Sequence, residues 1–289
     1  MNNPVVIGGI GGSGTRIVAS ILQKFNFFLG DDLNKSLDNL CYTLLFKRPG
    51  WYYKNSMKTS VIKTGLRILE KKLTGKHCYS PAEYFYLFNA MQLMYRYGHN
   101  SEKSGTGRWA IERFSRILNN QNIDIESYTG WGWKEPNTHL LLKDINNYFP
   151  EFKYIHTLRN GLDMAFSNNQ QQLFNWGPMF GVDLPQEVSE IPAASFRYWV
   201  EVHRKILQYR AEIGRDKILI LNFDKLCDNP ADGIKIISDF LNLEVEEIQL
   251  QDAIKIPQIP TSRGRYKCED ISMFREEDLA FLNYLGFKH

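Results

Sequence analysis

The sequence has few cysteines, little net charge and no long apolar run. Its four cysteines lie far apart, form no Cys-x-x-Cys pair and have no histidine at zinc-ligand spacing, so we expect free thiols and no zinc site. No apolar run approaches the roughly 18 residues of a membrane-spanning helix. No basic segment typical of a signal peptide precedes the first apolar residues. These absences predict a cytoplasmic protein with no membrane span.

The small net charge argues against nucleic-acid binding. The 289 residues carry a net charge of +3, which is consistent with an anionic ligand but too small to favour nucleic acid. A hydrophobic share of 43% and a charged share of 23% are ordinary for a globular protein. There is no internal repeat and no low-complexity segment. The length fits one large domain or two small ones.

A glycine-rich segment follows the first apolar run. Val5–Ile7 is a short β-branched run typical of a buried strand, residues 8–15 read Gly-Gly-Ile-Gly-Gly-Ser-Gly-Thr, and residues 16–22 have the apolar spacing of a helix. A strand, a glycine loop and a helix together form a cradle in which backbone N–H groups and the helix N-terminus bind phosphate. An ordinary turn does not need so many glycines. We therefore predict a phosphate site here.

The loop matches only the beginning of a nucleotide-hydrolysing P-loop, from Gly9 to Gly14. Such a P-loop continues with a lysine for the β- and γ-phosphates and a hydroxyl residue for Mg²⁺. Here Thr15 and Arg16 follow instead. The sequence therefore favours a phosphate ligand that has no γ-phosphate and no metal.

Strands alternate with helices along the rest of the chain, which predicts an α/β fold with a doubly wound parallel sheet flanked by helices. Ligands bind such sheets at the carboxyl ends of the strands. The strand ends that carry polar or glycine-rich sequence are residues 8–15, 134–136 and 159–167.

Two helices and one loop in the middle of the chain have clear local signals. Ser80 and Glu83 have the spacing of a capping box and predict a helix over residues 81–97. The pattern of residues 160–172 predicts another helix. Residues 101–107 are polar and contain glycine, which predicts a flexible loop.

A second anion-binding pattern lies at residues 154–167. A strand ends at Arg159, and Ser167 follows eight residues later on the predicted helix. Arginine is a forked donor for phosphate, and a serine hydroxyl adds a hydrogen bond. Together with the glycine loop, this pattern resembles the sulfotransferase family that uses 3′-phosphoadenosine-5′-phosphosulfate (PAPS). That family binds the 5′-phosphosulfate with its first loop and the 3′-phosphate with a strand-Arg motif that ends in serine; Gly161 stands where it often has proline.

Two further segments are similar to that family in the same order. Residues 221–230 look like its strand, acidic-leucine step and Asp-Pro, whose role is structural. Residues 262–267, Ser-Arg-Gly-Arg-Tyr-Lys, are similar to its late basic loop that closes over the nucleotide. The resemblance covers nearly the whole chain apart from about residues 30–125, where the family builds acceptor specificity.

The resemblance implies a P-loop NTPase-like sulfotransferase fold, with residues 1–289 as a single domain and residues 30–125 as a helical, aromatic-rich insertion on the acceptor side. It implies transfer of a sulfuryl group from PAPS to a hydroxyl or amine of a carbohydrate or other small molecule. The product is 3′-phosphoadenosine-5′-phosphate (PAP), and no metal takes part. The nucleotide-binding residues that it implies are Gly11, Gly12, Ser13, Gly14, Thr15, Arg16, Arg159, Ser167, Arg263, Gly264 and Arg265.

The resemblance leaves two candidates for the cation that stabilises the transferred sulfonate. Many family members have a lysine where this chain has Gly12, so another cation is needed. Arg16 stands at the start of the helix after the loop. Lys134 ends a strand in Trp-Lys-Glu-Pro, where related enzymes also have a lysine. We favour Lys134; the alternative is that it only pairs with Glu135.

Three residues are candidates for the general base that accepts the proton of the acceptor: Glu135, His139 and Glu112. No spacing decides among them. Trp131 and Trp133, beside the candidate cation, are expected to line an acceptor pocket, whereas the other aromatic residues are expected to pack in the core.

Two other functions fit part of the sequence. The glycine loop also fits a P-loop kinase of small molecules or nucleotides, although the residues after Gly14 argue against it. Gly12, in place of the usual lysine, also fits a catalytically degenerate module that binds PAP without turnover.

Overall fold

The computed structural model describes residues 3–76, 78–98, 106–119 and 123–288. These residues contain a parallel sheet with the strand order β2-β3-β1-β4-β5, flanked by helices, which confirms the predicted α/β fold. The strands are β1 (Val5–Gly9), β2 (Phe27–Phe28), β3 (Gly130–Lys134), β4 (Lys153–Leu158) and β5 (Ile218–Asn222).

The helices occupy most of the chain between the strands. In chain order the α-helices are α1 (Thr15–Lys24), α2 (Leu40–Phe46), α3 (Pro49–Asn55), α4 (Thr59–Leu73), α5 (Pro81–Tyr97), α6 (Thr106–Leu118), α7 (Leu142–Tyr148), α8 (Gly161–Ala165), α9 (Gln171–Trp176), α10 (Ile191–Ile213), α11 (Phe223–Asp228), α12 (Pro230–Leu241), α13 (Glu247–Ile254) and α14 (Glu276–Tyr284). Short 3₁₀ helices cover Ile125–Ser127, Pro136–Leu141, Gly177–Phe180, Val188–Glu190 and Arg265–Cys268.

The chain divides into two compact units. The first unit comprises Met1–Gly8 and Thr15–Ile155, and the second comprises Gly9–Gly14 and His156–His289. The division places the glycine loop in the second unit and helices α1–α7 in the first. The single domain over residues 1–289 stays a prediction. Among the described residues, no helix has the length and apolarity that crossing a membrane requires.

The core of the first unit forms around β1, whose apolar side chains are fully buried. β1 pairs with β3 in parallel, with Val6 opposite Trp133 and Ile7 opposite Lys134. The strands approach closely at Gly132, where a Cβ atom would lie 1.7 Å from the carbonyl oxygen of Val5. The β1–β3 pairing therefore requires glycine at this position.

Helices α2–α6 fill the part of the chain that the sequence predicts to be helical. The capping box of α5 is confirmed: the Ser80 N–H donates to Glu83 Oε2 over 2.6 Å, and the Glu83 N–H donates to Ser80 Oγ over 3.4 Å. Glu83 also binds Arg67 and Lys71 of α4, each at 2.8 Å. One buried carboxylate thus caps α5 and joins it to α4. Of the predicted loop over residues 101–107, residues 101–105 lie outside the described part of the chain, and α6 begins at residue 106.

In the second unit, the predicted helix over residues 160–172 is wrong, because the chain leaves the helix after Ala165 and re-enters one at Gln171. The cause is Gln170, whose Nε2 lies 2.8 Å from the Ala165 carbonyl oxygen and 2.7 Å from that of Ser167. This side chain replaces the N–H donors that a continuing helix would supply. Ser167 therefore lies in a connection between α8 and α9.

We expect Gly132→Ala to destabilise the protein by more than about 3 kcal/mol, because the added methyl group meets backbone that cannot move without breaking the β1–β3 pairing. The measurement is the free energy of unfolding in urea. Gly50→Ala in α3, where a Cβ meets no atom within 4 Å, is the matched control and should be neutral or slightly stabilising. Equal stability of the two variants would contradict the close approach.

The Glu83 carboxylate predicts a loss of stability in acid. Burial raises the pKa of Glu83, but hydrogen bonds from Lys71, Ser80 and Arg67 outweigh it and lower the pKa to about 2. A depressed pKa gives stability that is complete above the unfolded-state value and is lost as the pH falls through the folded-state value. The free energy of unfolding should therefore fall by about 2 kcal/mol from pH 4.5 to pH 2 on account of this group.

Denaturant titrations across that pH range check this expectation. Glu83→Gln should flatten the pH dependence between pH 4.5 and pH 2, and Glu126→Gln, on an exposed 3₁₀ turn, should leave it as in the wild type. An unchanged slope in Glu83→Gln would show that another carboxylate carries the effect.

Candidate functional site

The glycine loop, residues 9–14, has a backbone that only glycine adopts readily. Gly12 and Gly14 have φ values of +90° and +93°. A Cβ on Gly14 would lie 2.1 Å from the ring of Phe223, whereas a Cβ on Gly12 would meet no atom within 4 Å. Gly14 is thus required for packing, and the surroundings of Gly12 are open.

Three contacts tie the glycine loop to the chain around the end of β4. The Ser13 and Thr157 hydroxyls are 2.7 Å apart. The Gly11 N–H donates to the Gln172 side-chain oxygen over 2.8 Å, and Arg159 Nη1 donates to the Gly12 carbonyl oxygen over 3.2 Å. The structure therefore brings together the two predicted phosphate-binding patterns.

Arg159 is the most buried of the arginines predicted to bind the nucleotide, with 7% of its surface exposed. Its Nη2 donates to Ser262 Oγ over 2.8 Å, and the Asp163 carboxylate lies 3.7 Å away. Its Nε has no acceptor among the described residues. Burial lowers the pKa of Arg159, and Asp163 opposes this shift. A buried guanidinium with an unused donor fits a phosphate group.

The other second-unit residues that are predicted to bind the nucleotide lie in two different environments. Arg265 donates to the carbonyl oxygens of Ser262, at 3.2 Å, and Phe166, at 3.3 Å, so it shares Ser262 with Arg159. Ser167 is half-buried, and its Oγ accepts from Asn169 N–H over 3.3 Å. The contacts of Arg265 thus place it beside the connection that contains Ser167.

Arg263 and Gly264 contact carboxylates instead. Gly264 N–H donates to Asp163 Oδ2 over 3.0 Å. Arg263 forms a bidentate pair with Asp228, in which Nη2 and Oδ2 are 2.8 Å apart. The Asp228 hydrogen bonds raise the pKa of Arg263. Of the second-unit arginines predicted to bind phosphate, Arg159 and Arg265 therefore have fewer competing anions than Arg263.

In the first unit, Lys134 is buried at the end of β3. Its Nζ donates to the Ser36 carbonyl oxygen over 2.9 Å and forms an ion pair with Asp38. Burial lowers the pKa of Lys134, and Asp38 opposes this shift. The partner of Lys134 is therefore Asp38. The alternative prediction from the sequence, an ion pair with Glu135, does not hold.

Glu135 and His139 are both buried in the turn after β3. Glu135 caps the 3₁₀ helix that follows: its Oε2 accepts from Asn137 N–H over 2.7 Å, and its Oε1 forms an ion pair with Lys47 over 3.0 Å. The Nδ1 atom of His139 lies 3.0 Å from the Pro136 carbonyl oxygen. The turn thus holds Glu135 by contacts that a structural carboxylate would make.

The other first-unit residues predicted for the site lie on helices. α1 begins at Thr15, which is buried, and Arg16 next to it is exposed. Glu112 on α6 is exposed and forms an ion pair with Arg113 over 3.3 Å. Lys134 pairs with Asp38 and Glu112 pairs with Arg113, so no ion pair joins Glu112 to Lys134 among the described residues of the first unit.

The expectation that Trp131 and Trp133 line a pocket is wrong, because both side chains are buried in the core of the first unit. Trp133 stacks on Tyr42 with ring centroids 6.1 Å apart, and Trp131 meets Phe149 edge-on at 5.8 Å. β3 lies between β2 and β1 in the sheet, and all five of its residues are buried.

Sequence reasoning missed several side chains that shape these sites. Thr157 lies two residues before Arg159, and the period of two along a strand gives a signal for it. Ser262 stands at the start of the basic motif that includes Arg263. Gln172 and Asp38 have no local signal, because each is defined by a contact with a distant segment.

Among the residues that the structure describes, no group of three or more His, Cys, Asp or Glu side chains is placed to hold a metal ion.

Comparison with known proteins gives a family and a fold. The family model described as the sulfotransferase family matches residues 4–247. A comparison with curated proteins found no match.

Two solved structures are similar over nearly their whole length. The sulfotransferase domain of the olefin synthase of Synechococcus PCC 7002 is 13% identical, with a TM-score of 0.50, and the match covers 99% of this chain and 96% of that one. The sulfotransferase domain from the curacin biosynthetic pathway is 12% identical, with a TM-score of 0.51 and coverage of 99% and 98%. At these identities the likeness establishes the fold.

Proposed function

Because the chain belongs to the sulfotransferase family, we propose that it transfers a sulfuryl group from PAPS to a hydroxyl or amine of a carbohydrate or other small-molecule acceptor. The observation that supports PAPS most directly is Arg159, a buried cation that binds the Gly12 carbonyl and has an unused donor among the described residues. Buried charge is costly without a counter-charge. The Asp163 carboxylate, 3.7 Å from Arg159 Nη2, supplies part of that counter-charge, and a phosphate group would complete it.

We propose that the nucleotide is held mainly by second-unit residues. The N–H groups of the glycine loop bind the 5′-phosphosulfate, and Arg159 and Ser167 bind the 3′-phosphate. Arg265 adds a second cation beside Ser262. PAPS supplies a sulfuryl group on a phosphate leaving group, whose growing charge is stabilised by cations and N–H donors.

We propose Lys134 as the cation that stabilises the transferred sulfonate. It is buried at the carboxyl end of a central strand, which is where ligands bind in parallel sheets. Its contact with Asp38 positions the ammonium group. Arg16, at the exposed start of α1, is the alternative.

Among the three candidates for the general base, Glu135 is the weakest because of the contacts that it already makes. Both of its carboxylate oxygens already accept hydrogen bonds, and it caps the turn after β3. His139 and Glu112 stay as the other two candidates. Variants of all three, measured for the pH dependence of kcat, separate them, because only loss of the base removes the acidic limb of the profile.

We further propose a single domain over residues 1–289, with the helices of residues 30–125 on the acceptor side, and a cytoplasmic location. The test that follows distinguishes this function from the two alternatives, a P-loop kinase and a degenerate PAP-binding module.

Nucleotide binding tests the proposal first. In calorimetric titrations the wild type should bind PAP and should not bind ATP·Mg²⁺. Arg159→Ala should weaken PAP binding about 30-fold or more, because it removes a buried cation from a phosphate. Arg215→Ala, at an exposed arginine, is the matched control and should bind as the wild type does.

Each other outcome has a distinct meaning. Binding of ATP·Mg²⁺ without PAP would favour the kinase. Binding of PAP without sulfuryl transfer to any member of an acceptor panel would favour the degenerate module. Equal PAP affinity in Arg159→Ala and the wild type, with both variants folded by thermal melting, would contradict the assignment of Arg159.

Sulfuryl transfer tests the cation. With radiolabelled PAPS and an acceptor from the panel, Lys134→Met should lower kcat by about 10²–10³-fold, since it removes charge stabilisation in the transition state. Its PAP affinity should stay within about twofold. Arg16→Met tests the alternative cation in the same assay. Lys255→Met, at an exposed lysine, is the control. A large loss in Arg16→Met with full activity in Lys134→Met would transfer the role to Arg16.

A further inference from the structure

The first unit contains a pocket that the proposed nucleotide residues do not line. It has a volume of about 500 Å³ and lies between α3, α4 and α5; we call it the α3–α5 pocket. Its lining includes two arginines and no acidic residue. The lining residues that matter here are Arg48, Trp51, Thr64, Phe85, Tyr86 and Arg96. Pockets of this size hold small organic ligands.

Arg48 is fixed by the local sequence at the entry to α3. It precedes Pro49, which occupies the first turn of the helix, and its carbonyl oxygen accepts from the Tyr52 N–H over 2.8 Å. Its side chain is 4% exposed. Nη2 donates to the carbonyl oxygen of Leu45 and, over 3.3 Å, to the hydroxyl of Tyr86. The guanidinium is thus held in place by neutral oxygens.

No described carboxylate forms an ion pair with Arg48, and its Nε has no acceptor among the described residues. The other buried cations of this unit are compensated: Lys72 binds Asp31 over 2.9 Å, and Arg113 binds Asp32 over 2.8 Å. Burial lowers the pKa of Arg48, yet an arginine stays charged. A buried charge without an opposite charge is strongly unfavourable, so an anion at this position would stabilise the fold.

Aromatic rings surround the Arg48 guanidinium. Its carbon atom lies 4.1 Å from the ring centroid of Trp51, and the Trp51 and Tyr86 rings meet edge-on at 6.0 Å. Phe85 lines the same pocket and is exposed. Arg96, on the last turn of α5, adds a second, exposed cation. The pocket therefore combines positive charge with flat apolar surfaces.

We propose that the α3–α5 pocket binds a small organic anion, with its acidic group at Arg48 and its apolar body against Trp51 and Phe85. The ligand class is an aryl or alkyl carboxylate, or a sulfate or phosphate ester with the same shape. None of the residues proposed to bind the nucleotide lines this pocket, and the inference does not rest on the proposed function.

Calorimetry on the full chain, with 2-naphthoate as the probe and the neutral 2-naphthamide as its matched analogue, tests this site. The wild type should bind 2-naphthoate at least about tenfold more tightly than 2-naphthamide, which is the value of one charged hydrogen bond. Arg48→Met should weaken 2-naphthoate binding at least about tenfold without lowering the melting temperature, because it removes an uncompensated buried charge. Arg215→Ala is the control and should bind as the wild type does.

Arg96→Met keeps the test decisive if Arg48→Met does not fold. Because Arg96 is exposed, its substitution should lower 2-naphthoate affinity by only about two- to fivefold. Absence of 2-naphthoate binding at millimolar concentration, equal affinity for the two probes, or unchanged binding in the variant tested would overturn the proposal. Displacement of 2-naphthoate by PAP would overturn its assignment to a separate pocket. Titration with methyl phosphate and methyl sulfate then identifies the preferred acidic group.

Discussion

Compensation of buried charge is the constraint on which this structure depends most. Ionised groups lose their hydration on burial, and the loss is tolerated only where an opposite charge or several hydrogen bonds replace the water. Glu83, Glu135 and Lys134 each meet this requirement within the chain, and each fixes a helix cap or a strand end by doing so. Arg159 and Arg48 meet it only in part. Arg159 and Arg48 are thus the buried cations whose charge an anionic ligand would compensate further.

This distinction changes how the polar residues after β3 are understood. In the sequence, Lys134 and Glu135 are neighbours and look like a natural ion pair. In the structure, their side chains have separate partners, Asp38 and Lys47, because successive side chains of an extended strand point to opposite sides. Each partner comes from the segment before α3, so this one segment positions both groups.

The sheet, the glycine loop and the capping box of α5 were predictable because each has a local signal. β-branched runs, glycine spacing and the pair Ser80 and Glu83 act over a few residues, and the structure has the elements that they predict. The break after α8 was not predictable in this way. It depends on the side chain of Gln170, whose Oε1 accepts from the Ser195 hydroxyl over 2.6 Å while its Nε2 donates to the Ala165 carbonyl oxygen of α8. Residues 170 and 195 are too far apart in sequence for a periodic pattern to join them.

The candidate site was predictable only where a motif carries it. Arg159 follows a clear strand, and its place beside the glycine loop agrees with the pattern. The wrong expectation for Trp131 and Trp133 has a different origin. Aromatic residues in a ligand pocket and in a core look the same in a sequence, and only the neighbouring strands and helices show which of them are covered.

The connection between α8 and α9 also limits how the chain can vary in length. Gln170 holds the end of α8, and Gln172, two residues later, accepts from the Gly11 N–H over 2.8 Å. Both amides must reach fixed partners from one short segment. An insertion or deletion of a single residue between them would release either the helix end or the glycine loop. Homologous chains that keep both contacts should therefore keep the number of residues here, even where the residues themselves differ.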